Sequence, residues 1–175
     1  MKVLVTGGVR SGKSRHAEGL LAGEPAVTYV APGPTVEEDS DPDWAARIAA
    51  HRLRRPAAWT TLESRDLAAV LSLDGAVIVD CLGTWLTAVL DEAQVWDRPS
   101  AEAVALLRAR LEPAVAALSS ATGPVVLVTN EVGLGVVPAT RSGRLFRDLL
   151  GTVNQRLAAQ CDAVHLVVAG RVLEL

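Results

Sequence analysis

The sequence predicts an α/β fold: one domain over residues 1–175, with a mostly parallel sheet and helices on both faces. Three observations predict it. Five apolar runs are nearly continuous rather than alternating, the pattern of strands buried on both faces. Stretches with apolar residues at helical spacing separate those runs, so strand and helix alternate along the chain. The first run leads directly into Gly7-Gly8-Val9-Arg10-Ser11-Gly12-Lys13-Ser14, which fits the phosphate-cradling pattern Gly-x-x-x-x-Gly-Lys-Ser/Thr between a strand and a helix.

Taken in order, Val3 to Thr6 is the strand that enters the loop, and Ser14 to Leu21 is the helix that leaves it. Ala26 to Ala31 is the second strand. Pro32 to Asp41 is rich in Pro, Gly, Glu and Asp and reads as a solvated loop. Asp41 is then an N-cap with Pro42 at the first helical position, opening a helix to about Arg54 that stops before Pro56. Trp59 to Leu62 is a short extended segment, and Leu67 to Leu73 is helical. Ala76 to Asp80 is the third buried strand. A helix over Ala101 to Leu118 precedes the strand Val125 to Thr129, and a helix over Ser142 to Gln160 precedes the strand Val164 to Ala169. The tail Val172 to Leu175 is a further extended segment.

Composition narrows the classes. The formal net charge of −3 argues against nucleic-acid binding, because affinity for a phosphate backbone needs a basic surface. The longest stretch without charge, Pro113 to Asn130, is broken by Ser119, Ser120, Gly123 and Pro124, and no signal peptide opens the chain. The expectation is a cytoplasmic protein without stable membrane insertion. Cys81 and Cys161 lie far apart in no metal-ligand spacing and read as buried thiols. Arginines cluster at Arg52, Arg54 and Arg55 and again at Arg141, Arg144 and Arg147. The first group reads as functional, and the second is open between phosphate ligands and a solvated helix face.

The loop from Gly7 to Ser14 fixes the first chemistry. Glycines let backbone N–H groups close around an anion, Lys13 reaches between the β- and γ-phosphates as a compact charge, and the Ser14 hydroxyl ligates Mg²⁺. Lys13 is one of two lysines in the chain. Asp80, a carboxylate at the tip of an apolar strand, is read as the acid that holds hydrated Mg²⁺. His16 follows the loop in the first turns of its helix, where the dipole disfavours an imidazolium, and is assigned to packing or hydrogen bonding. His165 sits in an apolar strand as a core or interface residue. His51 lies among Arg47, Arg52 and Arg54; on residues alone a solvated surface histidine is the plainer reading. Asn130 and Glu131, at the end of a strand, are expected to face the ligand region. The Asn-Lys-x-Asp guanine reader of switch GTPases is absent.

These residues resemble a known family, the bifunctional adenosylcobinamide kinase and adenosylcobinamide-phosphate guanylyltransferases of cobalamin biosynthesis. The resemblance rests on Gly7 to Glu18, on Arg47-Ile48-Ala49-Ala50-His51 with Arg55-Pro56 and Trp59, on Asp80-Cys81-Leu82, and on Asn130 to Pro138. It continues through Phe146-Arg147-Asp148 and Asn154-Gln155-Arg156. It implies a P-loop NTPase-like, RecA-like fold and two activities. One phosphorylates the aminopropanol hydroxyl of adenosylcobinamide from ATP or GTP; the other transfers GMP from GTP to adenosylcobinamide phosphate through a covalent GMP-histidine, with release of pyrophosphate. The guanylylated histidine aligns with His51, which overrides the plainer reading, and Lys13 is its catalytic companion. Nucleotide contacts fall on Gly7, Gly8, Val9, Arg10, Ser11, Gly12, Lys13, Ser14, Val30, Ala31, Pro32, Arg52, Leu53, Arg54, Arg55, Glu63 and Asp80, with Ser14 and Asp80 as the Mg²⁺ ligands. The implied state is a homo-oligomer, a trimer among its forms, since His51 must reach the loop by motion or from a neighbouring subunit. Departures from the family pattern are the length of the loop from Pro32 to Asp43, Trp44 where Met is common, Gly83 in place of a larger residue and Ala88 in place of Asn. Two other readings of a phosphate loop stand beside this one: a small-molecule kinase of the adenylate or shikimate type without a covalent histidine, and a nucleotide-dependent regulatory module.

Overall fold

Strand β1 (Lys2–Gly7) is apolar from Val3 to Val5 and buries those side chains to 3% exposure or less, which fixes it in the middle of a sheet. The computed structural model describes the backbone of residues 1–175 and every side chain but those of Arg47 and Arg54. After β1 come α1 (Lys13–Leu20), β2 (Val27–Val30), α2 (Pro42–Arg54), β3 (Thr60–Leu62), α3 (Leu67–Leu71) and β4 (Ala76–Asp80). They are followed by α4 (Leu82–Glu92), α5 (Ser100–Ser120), β5 (Val125–Val128), α6 (Arg141–Ala158), β6 (Ala163–Val168) and β7 (Arg171–Glu174). The seven strands form one sheet in the order β3-β2-β4-β5-β1-β6-β7. Every pairing is parallel except β6 with β7, which is a hairpin.

Alternate residues of each strand face opposite layers. Val3, Val5, Ile78, Val126 and Val128 form one apolar cluster with Tyr29 and with Ala17 and Leu21 of the α1 side. Leu4, Val77, Val79, Val125 and Leu127 pack instead against buried residues of α3, α4, α5 and α6. Helices thus cover both faces, unequally: α1 on one, four helices on the other. None of the described side chains of α2 belongs to either core. The helix is capped as expected, with the Asp41 carboxylate accepting from Asp43 N at 2.9 Å and Pro42 at its start. Among the described residues no helix is long and apolar enough to cross a membrane.

Helix α4 was not foreshadowed by the sequence. Leu82, Gly83, Trp85, Leu86, Ala88, Val89 and Leu90 are all buried, and the polar stripe left to announce a period is narrow: Thr84, Thr87 and Asp91. The second arginine cluster is structural. Arg141 donates to the carbonyls of Trp96 and Arg98, Arg144 donates to those of Pro138 and Ala139, and Arg147 pairs with Asp148. Cys81 and Cys161 are free thiols.

Candidate active site

The phosphate loop turns on two glycines. A Cβ on Gly7 would lie 2.5 Å from the Val167 carbonyl oxygen and 2.7 Å from Ser11 Oγ, so only glycine lets β6 approach that closely. Gly12 has φ +96°, a left-handed conformation, and ends the loop as the N-cap of α1. No side chain caps α1 and no acid sits in its first turn, which leaves the positive end of the helix facing the loop. Lys13 is 6% exposed and its ammonium donates to the Gly8 carbonyl at 3.2 Å, folded back over the hollow it would share with an anion. The loop is tied to the β6–β7 turn by Gly170 N donating to the Ser11 carbonyl at 2.8 Å.

Two hollows flank helix α2. The first has the loop, from Arg10 to Arg15, as its floor and Asp43, Ala46, Ala50 and His51 as its opposite wall. The second is lined by Trp44, Ile48, His51, Arg52 and Arg55 from α2 and by Tyr29, Ala31, Thr61, Glu63, Asp80, Cys81 and Thr84 from the strand ends. The residues of α2 divide by helical face, and His51 stands on the boundary between them.

In the second hollow the sole tyrosine of the chain, Tyr29, is 1% exposed and donates its hydroxyl to Asp80 Oδ2 at 2.8 Å. His51 Nδ1 lies 3.5 Å from the same hydroxyl and 3.7 Å from the same carboxylate oxygen. Burial, and then the charge of Asp80, push the Tyr29 phenol well above its usual range against the pull of Arg55. The Arg55 guanidinium lies 3.4 Å from the centre of the Tyr29 ring and donates to Thr61 Oγ1 at 2.8 Å. Arg52 pairs with Glu63 at 2.7 Å. Trp44 donates from Nε1 to the Pro34 carbonyl at 3.0 Å, holding the long acidic loop against the hollow. Arg65 holds the same loop from outside, between Glu38 at 2.5 Å and Glu92 at 2.6 Å.

Among the described residues three buried side-chain polar atoms have no protein partner: Thr6 Oγ1, Ser11 Oγ and Arg55 Nε. Buried polar groups are almost always satisfied; Ser11 lines the first hollow and Arg55 the second, and both fit an oxygen-rich ligand. The donor set suits a hard cation as well. Ser14 Oγ and Asp80 Oδ1 accept no hydrogen bond among the described residues, and both are oxygens of the kind Mg²⁺ takes. Among the described residues no group of three or more His, Cys, Asp or Glu gathers as a metal cage.

Several expected contacts lie elsewhere. Leu53 is 87% exposed and lines neither hollow, Val9 is exposed at the tip of the loop, and Val30 and Pro32 are buried behind Ala31. The side chains of Arg47 and Arg54 lie outside the described residues. Asn130 and Glu131 are half-buried, and Asn130 contacts Cys81 in the lining of the second hollow. Asn130 Oδ1 accepts from Cys81 Sγ at 3.6 Å, and a Cβ on Gly83 would meet that oxygen at 2.8 Å, which accounts for glycine there. Glu131 N donates to the Gly7 carbonyl at 3.2 Å and its carboxylate accepts from Gly133 N. His16 Nε2 and His165 Nδ1 meet at 2.8 Å, a hydrogen-bonded pair linking α1 to β6. Burial, then the neighbouring charge of Asp80, push the Cys81 thiol up. Sequence reasoning missed Tyr29. Its uniqueness and its place two residues before Ala31 were the available signals.

A strand entering a phosphate loop, with the acid-bearing strand β4 separated from it by β5, is the arrangement of P-loop nucleoside-triphosphate enzymes. Comparison with known proteins narrows the class. Residues 3–175 match the family described as cobinamide kinase / cobinamide phosphate guanyltransferase, and the chain belongs to it. It is 42% identical to the bifunctional adenosylcobalamin biosynthesis protein CobU of Salmonella typhimurium, over 97% of each chain. It is 40% identical to CobU of Escherichia coli over 97% of each, and 41% identical to CobP of Pseudomonas aeruginosa over 97% of this chain and 94% of that one. Among solved structures it is similar to the P4 protein from bacteriophage phi6 in complex with ADP, at 14% identity and a TM-score of 0.41, over 98% of this chain and 52% of the other.

Proposed function

We propose that the chain is a bifunctional transferase that phosphorylates adenosylcobinamide and then guanylylates adenosylcobinamide phosphate, with His51 as the covalent carrier of GMP. The observation that carries this reading is the place of His51, shared between the phosphate-loop hollow and the hollow of Tyr29, Asp80 and Arg55. A nucleotide with its phosphates on the loop and its base in the second hollow brings its α-phosphate past that imidazole. His51 lines the loop hollow of its own chain, which supports delivery of the imidazole within one subunit.

In the kinase step, Lys13 and the first-turn amides of α1 hold the triphosphate of ATP or GTP while the acceptor hydroxyl attacks the γ-phosphorus; positioning and charge supply most of the catalysis. In the guanylyl step the neutral imidazole attacks the α-phosphorus of GTP, and Lys13 with the nearby arginines holds the departing pyrophosphate. Mg²⁺, held by Ser14 and Asp80, supplies charge neutralisation on the phosphates when bound. Exposed Leu134, Val136 and Val137, with Leu173 and Leu175 at the sheet edge, support self-association, and three subunits is the form to test by light scattering. A cytoplasmic setting, where both triphosphates are made, belongs to the same proposal.

The test is incubation with α-labelled GTP. Label is expected on the protein, acid-labile and alkali-stable as a phosphoramidate. It should be lost in His51→Ala while phosphorylation of adenosylcobinamide continues. Label that persists in His51→Ala and vanishes in His16→Ala would place the chemistry on α1 and overturn the proposal.

A further inference from the structure

We propose that Tyr29 is a positioning residue which, through Asp80, fixes His51 with its proton on Nδ1, so that Nε2 is the atom that carries GMP. This rests on the reading of His51 as the covalent carrier and adds which nitrogen acts and what holds it. Two oxygens face Nδ1: the Tyr29 hydroxyl at 3.5 Å and Asp80 Oδ2 at 3.7 Å. The hydroxyl keeps its hydrogen and already donates it to that same carboxylate oxygen, at 2.8 Å. Toward His51 both therefore offer lone pairs only, and a nitrogen facing two acceptors must be the one that bears hydrogen. The contacts are long, as hydrogen bonds of catalytic groups often are before substrate binds.

The remaining nitrogen is thereby set. Nδ1 and Nε2 diverge across the ring, so an imidazole whose Nδ1 turns to Tyr29 and Asp80 presents Nε2 away from them. Tyr29 and Asp80 line the second hollow only, whereas His51 lines both, which leaves Nε2 for the hollow of the phosphate loop. Tyr29 is itself held: its ring is buried in the core cluster and covered by the Arg55 guanidinium at 3.4 Å. Asp80 meets Tyr29 and His51 through Oδ2, and its carboxylate would also be a ligand for Mg²⁺.

The electron balance is complete within these groups. The Nε2 lone pair forms the N–P bond, the bond from the α-phosphorus to its bridging oxygen breaks, and that pair leaves with pyrophosphate. The ring becomes cationic and keeps its Nδ1 proton, facing the Asp80 carboxylate. In the second half an oxygen of the acceptor phosphate attacks the phosphorus, the N–P bond breaks, and the pair returns to Nε2. The retained proton makes the imidazole a neutral leaving group, and none is gained or lost over the cycle.

The full chain with ¹⁵N-labelled histidine tests this by nuclear magnetic resonance. Before nucleotide, His51 should show the Nδ1–H tautomer; after GTP and Mg²⁺, phosphorus coupling should appear on Nε2. Tyr29→Phe, which keeps the buried ring, should populate both tautomers and slow guanylylation by about tenfold. Asp80→Asn, which can turn an amide donor toward Nδ1, should favour the Nε2–H tautomer and slow it by a further factor of ten or more. Coupling on Nδ1, or a Tyr29→Phe protein with wild-type tautomer and rate, overturns the assignment while leaving His51 as carrier. Label surviving in His51→Ala overturns the carrier and the assignment together.

Discussion

Replacing Lys13 by alanine should depress both transfers by the same factor, because one loop grips the triphosphate in each. The ammonium is 6% exposed and sits over the loop, 3.2 Å from the Gly8 carbonyl. An ammonium about 4 Å from a phosphate charge, at an effective dielectric near 20, is worth about 4 kcal/mol. Removal of one preorganised donor from a comparable site costs about 2.7–4 kcal/mol, a factor of about 10²–10³. The expected outcome is a fall of that size in kcat/KM for phosphorylation of adenosylcobinamide and for guanylylation alike. The assay is paired: initial rates of both transfers, and thermal unfolding with and without GTP. GTP should raise the midpoint of the wild type and not of the variant. Guanylyl transfer that survives at the wild-type rate while phosphorylation collapses would refute the single loop and require a second triphosphate site.

Asp80→Asn should move the Mg²⁺ titration of activity to concentrations about 10–100-fold higher, since an amide offers an oxygen without charge; an unchanged titration would confine Asp80 to holding Tyr29 and His51. Arg65→Ala removes a bridge whose two carboxylate partners are each 46% exposed, so global stability should drop by about 1 kcal/mol or less. Hydrogen exchange in the turn at Thr35–Asp39 should nonetheless rise, and a fall above about 3 kcal/mol would show that the loop is packed rather than tethered. The Cys161 thiol is pushed up to about 11, by burial first and the charge of Asp162 second. Because the folded value lies above the unfolded one, its contribution is whole below about pH 9 and disappears as the pH rises toward 11. Cys161→Ser should flatten that branch of the stability curve, and an unaltered branch would assign it to other groups.

The sequence carried the parts of the fold that have local causes. The phosphate loop is legible because left-handed Gly12 and the crowded Gly7 leave few other residues possible, and α2 because Asp41 and Pro42 are a start signal. Helix α4 was silent, since a mostly buried helix keeps only a narrow polar face, here Thr84, Thr87 and Asp91, to reveal its period. Among site residues, Lys13, Ser14 and Asp80 follow from chemistry at strand ends, while His51 needed the family resemblance to stand out from a surface histidine. Tyr29 was hidden because its partner Asp80 lies 51 residues away, and only the pairing of β2 with β4 brings them together. The division of α2 into two faces was equally invisible, being set by what the strands place on either side of it.

One loop and one imidazole on a shared wall also govern how two nucleotide pools compete. On the proposed mechanism, an ATP seated for hydroxyl phosphorylation would occupy the floor that guanylylation requires, so ATP would compete with GTP in the second transfer while GTP could serve both. Flux through the second transfer would then depend on the ratio of GTP to ATP as well as on the level of GTP. In a cell whose guanine nucleotides run low, the phosphorylated intermediate would accumulate although the enzyme and its first substrate are abundant.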